Sequence, residues 1–258
     1  MAPPRGVFLY QLLALKKLER VNGVNLAFVF YPFVQAVSDS ESRTVDLYKW
    51  WRRTFHFSGS RTPMEAKRRV SEAFPHLHPM PLELERCSTH GHCLSSSSAE
   101  LLSLLDLDVL LNLHTFILRG RVLEAFPHGV WSYHHGDPLQ YRGTPPGFWE
   151  LYDGAQRTGA IFQRLGERLD DGEVLRQVDL PTISHDYCAQ RQALFAAGID
   201  WPAEVAREIV ETGEVSVRAE AGRSEAGIRR RPKNWQLVKF ALQYGKAKVR
   251  RQLGLSPY

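Results

Sequence analysis

The chain has 258 residues, 43% hydrophobic and 24% charged, which is the composition of an ordinary globular protein long enough for one α/β domain and an appendage. Its net charge is +5, no apolar run reaches the roughly 20 residues of a membrane-spanning helix, and Lys16 and Lys17 interrupt the only apolar stretch near the N-terminus that resembles a signal-peptide core. Three cysteines argue against a disulfide framework, so a cytoplasmic location without a membrane span is expected.

The first elements alternate between helix and strand. Apolar residues recur at helical spacing from Val7 to Arg20, and Asn22-Gly23 is a turn signal. The run from Val24 to Phe30 is typical of a strand. A short helix is predicted from Pro63 to Ala73, and a strand with one solvent-exposed face is predicted from Leu82 to Cys87. A helix that leads into a strand is half of a parallel α/β unit, so this order predicts an α/β fold.

Aromatic and basic residues interleave between Tyr48 and Phe55. Such a pattern can stack on nucleotides or bases. It is more typical of a helix or strand at the edge of a core, with its charges in water. The structural interpretation is therefore favoured.

Two cysteines and two histidines lie close together in the segment from Cys87 to Cys93, which also contains His90 and His92. These residue types suit zinc. However, the adjacent His92 and Cys93 seldom chelate one ion together, and no second cysteine pair exists to close a site. No metal is predicted. The segment is interpreted as a surface loop that leads to the serines 95–98, which can cap the helix that follows.

The stretch from residue 108 to residue 175 is the most informative. Asp108 to Leu113 is typical of a buried strand, Leu118 to Phe126 of a short helix, and Gly129 to Tyr133 of a second strand. A polar loop punctuated by glycine and proline runs from His134 to Gly143. A further strand is predicted from Thr158 to Leu165.

This order resembles the folate-dependent formyltransferase family, which includes the methionyl-tRNA, glycinamide ribonucleotide and amino-sugar formyltransferases. The family motif is Asn-x-His-x-Ser-Leu-Leu-Pro-x-(Tyr/Trp)-Arg-Gly, followed by a Thr-Gly strand and a Leu-Asp-x-Gly turn. The corresponding positions here, in order, are Ser132, His134, Gly136, Tyr141-Arg142-Gly143, Thr158-Gly159 and Leu169-Asp170-Asp171-Gly172. Ser132 departs from the family's Asn and Gly136 from its Ser.

The resemblance implies a Rossmann-like α/β fold with a mostly parallel sheet over residues 1–183. In the family, a central strand precedes the first helix. Only six residues stand before Val7, so the chain is expected to begin one element late. A misplaced start site and a truncated relative are both consistent with this.

Formyl transfer is an acyl transfer in which an amine attacks a formyl carbon and negative charge develops on the formyl oxygen. An imidazole suits the proton transfers, and a fixed donor aimed at the oxyanion stabilises it. By resemblance, His134 is the acid/base group, Asp170 is its carboxylate partner, and Ser132 is a weak replacement for the oxyanion donor. A serine hydroxyl is shorter than the Asn amide and can rotate toward other acceptors.

The resemblance also implies two binding regions. The formyl donor is expected to be 10-formyltetrahydrofolate, and the residues that could form the apolar wall for its pterin ring are Leu111, Leu113, Phe116 and Ile117. For each of these residues a plain core role is equally consistent with the sequence. The loop that contains Arg142 and Gly143 is expected to lie beside the acceptor amine.

Residues 184–258 are predicted to form a helical, basic extension. Two helices broken at Gly198 and Pro202 are expected, then a polar, loose stretch that ends near Arg231. Trp235 to Leu253 has helical spacing and many basic residues. These could bind phosphate groups, an acidic partner or an anionic surface, but a helix laid on the domain with its bases in water is favoured.

The leading functional hypothesis is transfer of a formyl group from 10-formyltetrahydrofolate to a primary amine of a small molecule such as an amino sugar. The helical tail differs from the barrel domain of methionyl-tRNA formyltransferases, so tRNA and other nucleic acids are disfavoured as partners. One alternative is hydrolysis of the same folate by a deformylase. Another is a non-catalytic binding protein, which Ser132 and the missing strand suggest.

Overall fold

The polypeptide forms two larger β-sheets and a two-stranded ribbon, with helices packed against them. The structure, a computed structural model, describes residues 6–34, 47–55, 62–88, 91–114, 116–167, 172–220 and 227–255.

Strands and helices alternate through most of these ranges. The strands are β1 (Val7–Phe8), β2 (Phe28–Val34), β3 (Lys67–Arg68), β4 (His78–Arg86), β5 (Gly91–Leu94), β6 (Leu110–Asn112), β7 (Ile117–Leu118), β8 (Val130–His134), β9 (Arg157–Arg164), β10 (Glu173–Pro181) and β11 (Ala219–Glu220). The α-helices are α1 (Leu9–Leu18), α2 (Leu47–Phe55), α3 (Val70–Ala73), α4 (Ser96–Ser103), α5 (Phe148–Asp153), α6 (Tyr187–Ala197), α7 (Trp201–Thr212) and α8 (Asn234–Gln252). Short 3-10 helices cover Pro63–Glu65 and Gly120–Leu123.

The larger sheet has the strand order β11-β10-β9-β8-β6. In it, β8 is parallel to β6. The pairs β8–β9, β9–β10 and β10–β11 are antiparallel. The smaller sheet has the order β2-β4-β5-β7, with β4 and β5 antiparallel and the other two pairs parallel. The ribbon consists of β1 and β3.

One face of the larger sheet carries the central core. Trp131 of β8, Phe162 of β9 and Leu175 of β10 are buried there against Leu194 of α6 and Val205 of α7. Burial of each such side chain contributes about 1.5–3 kcal/mol. Because α6 and α7 belong to residues 184–258, this extension shares its core with the preceding sheet.

A second, aromatic cluster joins α2, α5, α6 and α8. Its buried members include Trp51, Phe148, Tyr187 and Phe240, whose rings meet edge-on, tilted or stacked. Trp51 is therefore part of the core, which confirms the favoured structural interpretation of the aromatic and basic segment. Its neighbour Trp50 is exposed.

The predicted α/β class and the helical C-terminal region are confirmed, but the sheets are mixed and not mostly parallel. The eight residues that connect β9 to β10 are too few for the helical crossover that parallel neighbours need, so these strands form an antiparallel pair. Among the described strands, parallel pairs such as β2–β4 and β6–β8 are joined by longer connections.

Several local predictions are corrected by the structure. The strand expected at Val24 begins at Phe28, and the helix expected from Leu118 to Phe126 is the end of β7 followed by a 3-10 turn. The stretch after Val215, expected to be loose, contains β11, which pairs with β10. By contrast, the predicted serine cap is confirmed, since the Ser95 hydroxyl accepts a hydrogen bond from the Ser98 backbone N–H.

One disulfide that the sequence analysis did not predict is present. Cys87 and Cys93 are bonded, with their Cα atoms 5.7 Å apart. The antiparallel pairing of β4 with β5 places the two residues on facing chain segments, which the spacing of cysteines along the sequence does not reveal. Within the described ranges no group of three or more metal-ligating side chains was found.

No helix in the described part of the chain is long and apolar enough to cross a membrane.

Candidate active site

Strand β8 divides its side chains between the two faces of the larger sheet. Trp131 and Tyr133 point to the central core, and side chains alternate along a strand. Val130, Ser132 and His134 therefore share the opposite face, where Val130 packs in a separate cluster with residues of the smaller sheet. Ser132 and His134, predicted to act together, lie on one face two residues apart, and both are buried.

A polar row crosses three strands at the level of Ser132. Ser132 is paired with Asn112 of β6 on one side and with Gln163 of β9 on the other, so the three side chains share a face. The Ser132 hydroxyl donates to the Asn112 carbonyl oxygen at 3.4 Å. Gln163 is only 2% exposed, and its amide oxygen has no hydrogen-bond partner among the described residues.

Gln163 is a candidate site residue that the sequence analysis missed. Its signal was a lone amide directly after the apolar run from Ala160 to Phe162, but the pairing with Ser132 depends on strand register, which the local sequence does not fix. A buried polar group without a partner costs free energy, so Gln163 is suited to bind a polar ligand atom on this face.

The imidazole of His134 is held by the polar loop that follows β8. Its Nε2 lies 3.1 Å from the carbonyl oxygen of Tyr141. A carbonyl only accepts hydrogen bonds, so Nε2 carries the proton and the basic lone pair of the neutral ring is on Nδ1. The Tyr141 carbonyl thus fixes both the orientation of the ring and its tautomer.

Gly136 leaves the space that this arrangement needs. A Cβ atom at Gly136 would lie 2.7 Å from the Tyr141 carbonyl oxygen and 3.0 Å from His134 Nε2. The serine of the family motif would therefore collide with the hydrogen bond between these two groups. The departure from the motif at this position has a steric cause in this chain.

A second unpredicted group, the carboxyl of Glu150, lies close to this hydrogen bond. Its Oε1 atom is 3.7 Å from the point where a Gly136 Cβ would be. Glu150 is 2% exposed, and Oε1 has no hydrogen-bond partner within the described ranges. Burial raises the pKa of Glu150 to about 8, despite the opposing effects of its own backbone N–H and of Arg229. At neutral pH the carboxyl is therefore mostly protonated.

Asp170 lies outside the described residues, but the end of its turn is described. Gly172 closely approaches the backbone of Arg164, and its Cβ position is 3.2 Å from the amide oxygen of Gln163. Gly172, which follows this segment, therefore lies beside the polar row.

His135 is on the other side of the sheet. Its ring packs against Tyr10, Tyr133 and Phe195. Burial, followed by the nearby charges of His134 and Arg191, lowers its pKa to about 3. A neutral, enclosed imidazole on the core side does not belong to the polar row.

The four residues expected to line a pterin pocket lie in different parts of the structure. Leu111 packs in the central core, on the opposite face from Ser132, and Phe116 packs with the cluster of the smaller sheet. The carbonyl oxygen of Leu113 accepts a hydrogen bond from the Gln11 side chain at 2.8 Å, and Ile117 begins β7.

Arg142 and Gly143 lie in a loop that the C-terminal segment holds in place. The Arg229 N–H donates to the Arg142 carbonyl at 2.7 Å, and the Thr144 N–H donates to the Arg229 carbonyl at 3.1 Å. Gly143 has a φ of +110°, and a Cβ there would lie 2.0 Å from the Arg229 carbonyl oxygen. Glycine is required at this position by both its backbone conformation and this close approach.

No family model matches the chain. Over 93 residues it is 32% identical to the methionyl-tRNA formyltransferase of Listeria monocytogenes serotype 4a, which covers 36% of this chain and 30% of that protein. Over 71 residues it is 34% identical to the methionyl-tRNA formyltransferase of Halalkalibacterium halodurans, which covers 28% of this chain and 22% of that protein. The matched segments thus span less than a third of these relatives' own lengths.

The overall fold is also shared with a solved structure. Glycinamide ribonucleotide transformylase 1 from Symbiobacterium toebii superposes with a TM-score of 0.54, covering 84% of this chain and 89% of that one at 16% identity. The chain is thus similar to formyltransferases in one segment of its sequence and in its fold. At the position of the Asn in the formyltransferase motif this chain has Ser132, which lies beside Asn112 and Gln163.

Proposed function

We propose that this formyltransferase relative transfers a formyl group from 10-formyltetrahydrofolate to a primary amine of a small molecule. The observation that supports this most strongly is the buried polar row of Asn112, Ser132 and Gln163, which shares one sheet face with His134. An acyl transfer needs a base for the amine and donors for the oxyanion, and this face contains side chains suited to both tasks.

His134 is proposed to move the proton. With Nε2 hydrogen-bonded to the Tyr141 carbonyl, Nδ1 is the nitrogen that accepts a proton from the attacking amine. The positive charge that forms on the ring is stabilised by the same carbonyl. Asp170 is proposed, from its place in the family motif, as the carboxylate that assists this transfer.

The oxyanion is proposed to be stabilised by Ser132 and Gln163 together. A hydroxyl and an amide on adjacent strands can replace one Asn amide, because each supplies a donor to the same face. A 180° rotation of the Gln163 amide exchanges the positions of its O and N atoms, so its NH2 group can point to the ligand. The buried amide, whose oxygen has no hydrogen-bond partner among the described residues, is suited to a folate formyl group, and the formyl donor, when bound, supplies the electrophilic carbon.

The acceptor is proposed to be an amine on a small molecule, such as an amino sugar, and not a tRNA. The described residues 227–255 are mainly the helix α8. The loop of Arg142 and Gly143 is proposed to contact the acceptor. Leu111, Leu113, Phe116 and Ile117 remain proposed contacts of the pterin ring, with Leu111 the weakest because it packs in the central core. A cytoplasmic location remains an expectation.

The experiment is to measure consumption of 10-formyltetrahydrofolate by the purified protein, with and without a panel of amino sugars. We expect amine-dependent turnover that falls about 10²- to 10⁴-fold in His134→Ala, because general acid–base catalysis contributes that much. His78→Ala, at an exposed histidine of β4, is the control and should retain activity. Turnover without amine would instead identify a hydrolase, and a folded protein without turnover would identify a binding protein.

A further inference from the structure

Helix α8 has apolar stripes on two opposite sides. The inner stripe, with Leu237, Phe240 and Ala247, is buried, and Leu237 and Phe240 belong to the aromatic cluster with residues of α2 and α5. The outer stripe consists of residues that are each 53–68% exposed, namely Trp235, Val238, Leu242, Val249 and Leu253. At about 100° per residue, these five lie within a sector roughly 60° wide, on the side opposite the inner stripe. A helix that only covered the domain would need the inner stripe alone.

Basic residues flank the outer stripe on one side. By the same helical geometry, Lys239, Lys246 and Arg250 lie within about 60° of Trp235 around the axis. Nine of the chain's 33 Lys and Arg residues lie between Arg229 and Arg251, whereas none of its 28 Asp and Glu residues does. The positive charge of the protein is therefore concentrated beside this apolar surface.

The neighbouring helix α2 has the same combination of side chains. It packs against α8 through ring contacts of Trp51 with Phe240 and of Phe55 with Tyr244. Its Trp50 is 65% exposed and lies next to Lys49 in sequence. Two helices that pack together thus both present an exposed tryptophan among basic residues.

We propose that the outer stripe of α8 docks on the anionic surface of a lipid bilayer. A helix with exposed Trp, Leu and Val beside Lys and Arg is suited to lie in the plane of a membrane interface, where apolar burial and attraction to anionic lipids act together. Tryptophan is favoured at that depth. The helix would lie on the surface without spanning the bilayer, consistent with its basic residues.

The charge of α8 favours a membrane over a second copy of the chain. The spacing of Trp235, Leu242 and Val249 by seven residues is also that of a helix pair. However, α8 has no acidic residue, so two copies would place Lys and Arg against Lys and Arg. Like charges across such an interface oppose pairing, whereas anionic headgroups complement them.

The test is co-sedimentation of the full chain with vesicles of phosphatidylcholine containing about one-third phosphatidylglycerol, compared with vesicles of phosphatidylcholine alone. We expect binding to the anionic vesicles that weakens as salt is raised from about 0.1 M, because screening shortens the range of the attraction. The double variant Lys239→Gln/Lys246→Gln should bind about 25-fold more weakly, since each base near an anionic surface is worth about fivefold. Lys16→Gln, an exposed lysine of α1, is the control.

The apolar contribution is tested by Leu242→Gln/Val249→Gln, which should weaken binding at least tenfold. The control is Leu104→Gln, which replaces a leucine that is 77% exposed elsewhere on the surface. Circular dichroism checks that each variant is folded. Equal binding to both vesicle types, or binding that the α8 variants leave unchanged, would overturn the proposal. So would a dimer, seen by sedimentation equilibrium, that Leu242→Gln/Val249→Gln dissociates.

Discussion

At the scale of single residues, Ser132 has neighbours that its own identity does not reveal. The hydroxyl is bonded to the Asn112 carbonyl, and the Gln163 side chain lies directly across the adjacent strand. A serine in place of a longer amide would by itself suggest a weak or inactive site. With Gln163 in register, the face retains a buried amide on the strand next to Ser132.

Replacement of Gln163 tests this interpretation. We expect Gln163→Leu to lower kcat about 10- to 100-fold with a smaller change in KM, because an oxyanion donor acts mainly in the transition state. Conversely, Ser132→Asn should raise kcat in the parent and partly restore it in Gln163→Leu. Gln177→Leu, at an exposed glutamine of β10, is the control. If Gln163→Leu changes only the stability of the fold, the amide has no role in turnover.

The buried carboxyl of Glu150 makes stability depend on pH. Its pKa is raised from 4.5 to about 8 in the folded protein, so between these values the unfolded chain releases a proton that the folded chain keeps. The free energy of unfolding therefore falls as pH rises through this window and then levels off. Glu150→Gln removes the effect and should be more stable than the parent at pH 8, by on the order of 3–5 kcal/mol.

Urea unfolding at several pH values measures this difference. The two proteins should have similar stability near pH 4.5 and diverge as pH rises. If the free energy of unfolding changes with pH in the same way in the parent and in Glu150→Gln between pH 5 and pH 8, the raised pKa of Glu150 is contradicted. Because Glu150 lies beside the His134–Tyr141 hydrogen bond, the pH profile of turnover should also lose one ionisation in the variant.

At the scale of secondary-structure elements, a buried ion pair joins the 3-10 turn Pro63–Glu65 to α6. Arg191 Nε donates to Glu65 Oε2 at 3.0 Å, and its Nη2 donates to Oε1. The same guanidinium donates to the Pro146 carbonyl and to the Tyr187 hydroxyl, each at 3.2 Å. One arginine thus fixes the position of the helix, the turn and the loop before α5.

Removal of one partner of this pair should be costly. We expect Glu65→Ala to lower the free energy of unfolding by about 3–5 kcal/mol, because it leaves a buried guanidinium uncompensated. The double variant Glu65→Leu/Arg191→Met should recover much of that loss. The exposed pair Arg157–Asp179 is the matched control, and Asp179→Ala should cost no more than about 1 kcal/mol. Equal losses at both pairs in urea unfolding would contradict the argument.

At the scale of the whole molecule, local patterns predicted the elements better than their pairing. The order of β6, β8, the polar loop and β9 follows from apolar runs and turn residues, and the motif singled out Ser132 and His134, although His134 was expected just after the strand and instead ends it. Gln163, Glu150 and the partner of Arg191 were not predicted. Each depends on contacts between segments far apart in sequence, such as the 126 residues between Glu65 and Arg191.

The mixed sheets and the disulfide were missed for the same reason. Strand direction and cysteine pairing depend on which segments lie next to each other in space. The short connection between β9 and β10 implies an antiparallel pair only when the two strands are known to be neighbours in the sheet. The division at residue 183 remains a prediction, although α6 and α7 share the central core with β8 and β9.

The backbone bridge between Gly143 and Arg229 joins the loop after β8 to the segment that leads into α8. Arg229 also pairs with Asp153 at 2.7 Å and packs over the rings of Tyr141 and Trp149. The chain that leads into α8 therefore forms part of the loop whose Tyr141 carbonyl orients His134. Linkage between such sites is reciprocal. We expect a ligand that orders this loop to strengthen the attachment of α8, and displacement of α8 to loosen the His134 imidazole by the same free energy.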